Sequence, residues 1–415
     1  MSNDLSLDDK PVMHWRFPYA FVVGLGLIAS GARTASVSLA QAPDQVKSGR
    51  DREAGPSEIV GTDAFPRIAM LWSSAAELKG SRTERLAKYG VSVVGVGEMG
   101  LRWERSQHAD LAEALEPATI ETARATLENV RANNPHAIVC CELYFFEANR
   151  RSYPEDHEWW FRDARGQKVS FWRGAYNMDV GNDAYVEHIA RRILAVHDAL
   201  EGKAGIFLDN LRFDQTAKRG WLRLLNKLRA ARPKMVVLVN SGWSSTDLEW
   251  VAPLVNGILY EDAIAHTHDH DTEAFYHRLA AHWNLLRAPR ISINEKFGAR
   301  SDKAGMLREM ARTLVYTDAY FIYTDSTYGH RHSWRPEWDA SLGKAIDPSR
   351  SPSPGELARR TFEGGTVAWL PATAKTPVTI EFDTPHASAS GGSPARAFTL
   401  NPGTGLVLRR MQKGT

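Results

Sequence analysis

The sequence predicts a parallel (β/α)8 TIM barrel, an α/β fold, followed by a small C-terminal antiparallel β domain. Between residues 66 and 350, apolar runs of strand length alternate with amphipathic stretches of helix length. The runs are rich in branched residues and lack polar alternation, as strands covered on both faces do. Beyond about residue 355 the helical rhythm stops, and short strand-like runs separated by turn residues replace it. An open doubly wound sheet is the rival, but no Gly-rich phosphate loop follows the first strand.

In order, the predicted strands are Ile68–Trp72, Val91–Val96, Ala137–Phe146, Gly205–Asp209, Met235–Asn240, Gly257–Glu261, Arg290–Glu295 and Tyr320–Asp325. Helices are expected around 75–89, then at Thr119–Asn133, Asp183–Leu200, Lys218–Ala231, Thr272–Leu286 and Lys303–Thr317. The β domain, assigned to 355–412 and expected to be sandwich-like, opens with a strand, turn and strand over Arg360–Trp369. Pro377–Phe382 and Ala397–Arg409 continue it. Upstream, Lys10, His14 and Arg16 precede the apolar stretch Phe17–Ser30, and small residues run to Ala40-Gln41-Ala42. This is the layout of a signal peptide over 1–42, which implies a secreted or periplasmic protein. Residues 43–65 read as a linker.

The chain has 415 residues, 43% hydrophobic and 24% charged, enough apolar material for one large core and a smaller unit. Its 51 basic and 49 acidic residues leave a net charge of +2 without a polybasic block, so nothing points to nucleic acid. No second stretch could span a membrane. The only cysteines, Cys140 and Cys141, are adjacent in a strand and must face opposite sides, which leaves no disulfide framework.

In a parallel barrel, residues at strand C-termini face the ligand. Here that position repeatedly carries a polar or aromatic residue: Trp72, Glu98, Glu142, Asp209, Asn240, Glu261, Glu295 and Asp325. Asp209 and Glu261 lead, because each ends an otherwise apolar run. They are the predicted catalytic pair, since hydrolysis of a glycosidic bond needs one protonated and one ionised carboxyl group. Tyr144, Asn210 and Trp243 adjoin these strand ends as substrate contacts. Two aromatic loops, Tyr153–Tyr176 with Trp172 and Ser326–Trp338 with His330 and Trp334, offer ring faces for sugars. Asp163–Gln167 reads as a tight turn within the first. His266, His268 and His270 alternate after the sixth strand, as metal ligands can, but no partner pair at zinc spacing accompanies them. No metal or cofactor is assigned.

Gly205-Ile206-Phe207-Leu208-Asp209-Asn210 resembles the fourth strand of a group of bacterial TIM-barrel glycoside hydrolases. Val255-Asn256-Gly257-Ile258-Leu259-Tyr260-Glu261 resembles the sixth strand of endo-α-1,4-polygalactosaminidase-like barrels. Leu342-Gly343-Lys344-Ala345 and Arg360–Trp369 resemble the tail of such enzymes. The resemblance implies a glycosidase with Asp209 as nucleophile and Glu261 as acid/base of a retaining mechanism. Asp262 departs from it, standing where that family usually has Ser. The expected substrate is an exopolysaccharide or cell-surface glycan. The alternatives are a non-catalytic glycan-binding barrel in polysaccharide export and a metal-dependent hydrolase or deacetylase.

Overall fold

The computed structural model describes residue 59 and residues 61–411, except residues 173, 263–271, 326–329 and 352. The predicted signal peptide and the His266–His270 stretch lie outside the described residues. Eight strands form one parallel sheet: β1 (Ala69–Leu71), β2 (Val91–Gly95), β3 (Ile138–Leu143), β4 (Gly205–Leu208), β5 (Val237–Asn240), β6 (Gly257–Glu261), β7 (Ile293–Gly298) and β8 (Tyr320–Asp325). Neighbours in the sheet are neighbours in the chain. A parallel bridge between Ile68 and Phe321, whose N–H donates to Arg67 O at 2.8 Å, brings the last strand back to the first. The predicted barrel is therefore the observed one.

The helices are α1 (Arg82–Leu86), α2 (Pro117–Asn133), α3 (Asp183–Ala199), α4 (Gln215–Ala231), α5 (Thr272–Leu285) and α6 (Lys303–Tyr316). Their starts are set by side-chain caps that satisfy the first free N–H groups. Asn182 accepts from Ala184 and Tyr185, Asp214 from Thr216 and Ala217, and Asp302 from Gly305. The expected helix over 75–89 contracts to α1, which is fixed by a Ser81/Glu84 capping box. Between β5 and β6 the described backbone has only a 3-10 turn, Ala252–Leu254, with Pro253 inside it.

Period-two alternation divides the apolar residues into two layers. Leu71, Val93, Cys140, Phe207, Leu238, Leu259, Ile293 and Ile322 fill the barrel interior. Val94, Val139, Cys141, Ile206, Leu208, Val239, Ile258 and Tyr260 pack outward against the helices. Cys140 and Cys141 are indeed separated onto the two faces, both as buried free thiols.

The expected linker ends sooner than residue 65. Ile59 is buried in the barrel interior, and Ala64–Phe65 pairs antiparallel with Gly343–Lys344. The C-terminal unit also differs from the expected sandwich. It is a single antiparallel sheet of β9 (Ala358–Phe362), β10 (Gly365–Leu370), β11 (Val378–Ser388), β12 (Ala395–Leu400) and β13 (Thr404–Arg410), in the order β9-β10-β13-β11-β12. Helix α6 replaces the second sheet. Arg312 of α6 lies 4.3 Å over the Trp369 ring, and buried Arg360 donates to the Leu314 and Thr317 carbonyls at the helix C-terminus. The closest approach is at Gly405, where an added Cβ would lie 2.4 Å from the Ala311 Cβ. Gly405→Ala is expected to cost about 1–3 kcal/mol through overpacking. A thermal melt tests this, and an unchanged Tm would contradict the docking described.

Candidate active site

The same alternation aims the functional side chains. Two residues beyond each interior apolar residue, and still pointing inward, stand Glu142 after Cys140, Asp209 after Phe207, Asn240 after Leu238, Glu261 after Leu259 and Glu295 after Ile293. Five strands thus deliver polar groups to one mouth. Asn240 binds two of them, its Nδ2 donating to Asp209 Oδ1 at 2.7 Å and to Glu261 Oε2 at 3.1 Å. Its own Oδ1 is held by the Gly242 N–H at 2.7 Å, which fixes the amide orientation.

Left-handed backbone occurs at three strand ends, adding Trp72 (φ 59°) and Asn210 (φ 58°) to the mouth and turning Asp262 (φ 44°) to the outer face. Strain of this kind collects at functional sites. At Trp72 it breaks the alternation that would point the ring outward. The indole instead donates from Nε1 to Glu142 Oε1 at 2.8 Å and packs 4.2 Å from the His330 ring. At Asn210 it lets Nδ2 reach both Asp209 Oδ2 at 2.8 Å and Glu147 Oε1 at 2.6 Å.

The carboxyl groups are crowded and poorly hydrated, and their affinities for protons follow. Burial, then the charge of Asp209, pushes Glu142 up to about 7 and Glu147 up to about 8. Burial and neighbouring Glu295, its register partner on β7, push Glu261 up to about 7. Burial also raises Asp209, against the opposing hydrogen bonds from Asn240 and the Asn210 backbone. His330 Nδ1 donates to Glu295 Oε1 at 2.8 Å, with its Nε2 3.7 Å from Glu261 Oε1. Burial disfavours its charge, yet the hydrogen bond to Glu295 and the surrounding carboxylates outweigh this and raise its pKa.

The other predicted contacts are placed less centrally. Tyr144 is 42% exposed beside Glu142, and Trp243 is 52% exposed on the loop after Gly242. Glu98 is not in the carboxyl cluster. The inward position of its strand belongs to Gly95, and Glu98 sits exposed on a 3-10 turn, 3.5 Å from Arg82. Asp325 is also displaced, because Thr324 occupies the inward register and donates to Glu295 Oε1 at 3.0 Å. Trp334 packs 5.4 Å from Tyr89 and bonds Asp339 rather than any strand-end group. Trp172 lies in a small sheet of Glu147–Asn149, Ser170–Trp172 and Ala175–Asn177, and its side chain is outside the described ones. The predicted turn at Asp163–Gln167 is present, closed by the Asp163 N–H to Gln167 O.

Sequence reasoning missed Glu147, Thr324 and the place of His330. The signal for Glu147 was an acid inside the apolar run Phe145-Phe146-Glu147-Ala148. Thr324 carried none, and His330 had only its aromatic loop. On the outer face, Lys296 lies 3.5 Å from Asp262, buried against α6, and takes no part in the mouth.

The bridging amide gives a testable expectation. Asn240→Ala should lower kcat by about 10²–10³-fold, as loss of an aimed donor does. Without that donor the pKa of Asp209 rises further, so the acidic limb of the pH–rate profile should move to higher pH. An unmoved limb would mean that Asn240 serves only the fold.

No protein-family model matches the chain, and no curated protein matches it. Solved structures do. A maltogenic α-amylase from Thermotoga neapolitana aligns at 9% identity, covering 84% of this chain and 99% of that one, with a TM-score of 0.50. An α-amylase from Anoxybacillus aligns at 10% identity, covering 85% and 99%, also at 0.50. At such identities the likeness is one of architecture: this chain has the barrel-plus-sheet fold of those α-amylases.

Proposed function

We propose that the protein is a glycoside hydrolase acting on a polysaccharide with retention of configuration. The observation that carries this reading is the single Asn240 nitrogen bonded to both Asp209 and Glu261. One atom within hydrogen-bond reach of both oxygens holds them no more than about 6 Å apart, below the roughly 6.5–9.5 Å of inverting pairs. Asp209 attacks the anomeric carbon while Glu261 gives its proton to the leaving oxygen. Glu261 then takes a proton from the water that attacks the same carbon and releases Asp209. A value of about 7 suits Glu261 to both roles near neutral pH. The fold shared with α-amylases supports the reading by analogy alone. With the predicted export signal, the substrate would be an exopolysaccharide or cell-surface glycan.

The test is reducing-end release from a panel of bacterial exopolysaccharides by the protein from Pro43 onward, beside Asp209→Asn and Glu261→Gln. Release by the parent alone is expected. Binding without release in all three proteins would favour the glycan-binding barrel.

A second reading rests on one observation: ligand atoms of Glu261, Glu295 and His330 lie within 4.8 Å of one another, compact enough for a divalent cation. Full activity after exhaustive chelation supports the carboxylate pair. Activity lost in chelator and restored by zinc would transfer the function to metal-assisted hydrolysis.

A further inference from the structure

We propose that the cavity next to the carboxyl cluster is a subsite for the acetamido group of a 2-acetamido sugar. This rests on the glycosidase reading and narrows its substrate class. The cavity measures about 160 Å³ and shares Glu142 and Glu147 with the mouth, so it opens beside the groups that surround Asp209. Glu147 reaches Asp209 through the Asn210 amide, which bonds both.

An acetamido group makes three demands: an acceptor for its N–H, a donor for its carbonyl oxygen and an apolar wall for its methyl. Each has a counterpart. Glu147 is 2% exposed, and its Oε2, the hydroxyl oxygen of the protonated carboxyl group, has no hydrogen-bond partner and keeps lone pairs that can accept. Tyr153 lines the cavity, is 2% exposed, and its hydroxyl makes no hydrogen bond among the described residues. Burial keeps that phenol protonated and hence a donor. Leu143, Ala148 and Ile189 supply the apolar wall. Buried polar atoms without partners are costly in the empty site, and a ligand that satisfies them recovers that cost.

Charge decides between acyl and carboxylate substituents. Among the described residues the one cation of the cavity wall, Arg192, is paired through Nη2 with Asp110 at 2.9 Å and stacked 4.1 Å over Trp103, with Nη1 left unpartnered. A uronate would therefore enter beside Asp110, Glu142 and Glu147, three acidic groups against one guanidinium that Asp110 already pairs, whereas the unpartnered Arg192 Nη1 remains a further donor for an acyl oxygen. A neutral amide meets no such opposition.

The experiment compares matched oligosaccharides carrying acetamido, free amino or hydroxyl groups at C2, together with a uronate series. The expected result is a kcat/KM at least about tenfold higher for the acetamido series. Ala148→Leu, which fills the cavity, and Tyr153→Phe, which removes the donor, should each shrink that ratio by about tenfold. Equal rates across the series, or preference for the amino or uronate compounds, would overturn the subsite and leave the glycosidase reading standing. Calorimetry with N-acetylglucosamine and N-acetylgalactosamine against glucose and galactose gives a second readout. Acetamido-dependent binding that weakens in Tyr153→Phe, without turnover of any glycan, would keep the subsite and remove the glycosidase reading. No acetamido-dependent binding would overturn the subsite whatever the turnover.

Discussion

Asp209→Asn is expected to lower kcat/KM by about 10⁴-fold or more, the scale on which loss of a nucleophile acts. The substitution is nearly isosteric and removes a carboxyl group that burial already disfavours in its charged form. Folding should therefore survive, and the melting temperature should hold or rise. Glu261→Gln should cost about 10²–10⁴-fold on natural glycans. It should cost far less on aryl glycosides whose leaving groups depart without a proton. That asymmetry separates the roles, because good leaving groups cannot replace a missing nucleophile. If both variants respond alike to leaving-group acidity, the assignment of nucleophile and acid fails. Steady-state kinetics on paired substrates, with circular dichroism as the folding control, makes the distinction.

The second large effect concerns stability. Besides Asp209, four largely buried carboxyl groups are raised: Asp262 to about 6, Glu142 and Glu261 to about 7, and Glu147 to about 8. Between the ordinary carboxylate range and these values the folded protein binds more protons than the unfolded chain. Stability from this source is complete below about pH 4.5 and is lost as pH rises through 6 to 8. The contributions do not add group by group, because neighbouring carboxyl groups titrate together. Glu113 works in the opposite sense. Its hydrogen bond to Arg191, together with His188, lowers it to about 2, so its contribution fades only at strongly acid pH. The melting temperature should therefore peak near pH 5 and fall towards pH 8, and Glu147→Gln should flatten that slope. A melting temperature that rises from pH 5 to 8 would contradict the protonation scheme on which the acid role of Glu261 depends.

The expected stability loss towards alkaline pH and the value of about 7 at Glu261, on which its proposed acid role rests, have one cause, the crowding of acids into a poorly hydrated mouth. The fold tolerates that arrangement because the outward faces of β4 and β5 are apolar, with Ile206, Leu208, Val237 and Val239 buried in the layer shared with the helices. Trp221, Leu224 and Leu225 of α4, for example, are completely buried.

The barrel is legible in the residues themselves, because period-two burial and helix periodicity are local properties that repeat along the chain. So is the inward direction of Glu142, Asp209, Asn240, Glu261 and Glu295, since each lies two residues beyond an interior apolar residue. The remaining features emerge only on folding. Glu147 opens a short strand of the small sheet outside the barrel, and His330 comes from a loop, so the barrel's periodicity places neither. Trp72 enters the mouth only through a left-handed φ, and Glu98 and Asp325 leave it through a turn and a register that strand length sets. The contact between Asp209 and Glu261 through one amide depends on barrel closure, which places side chains from separate strands at one mouth. The choice of a helix rather than a second sheet to cover β9, β10 and β13 is likewise tertiary: Gly405 reads as an ordinary strand residue until Ala311 is seen against it. Local pattern sets which face a side chain takes, and only the closed chain sets which other side chains it meets.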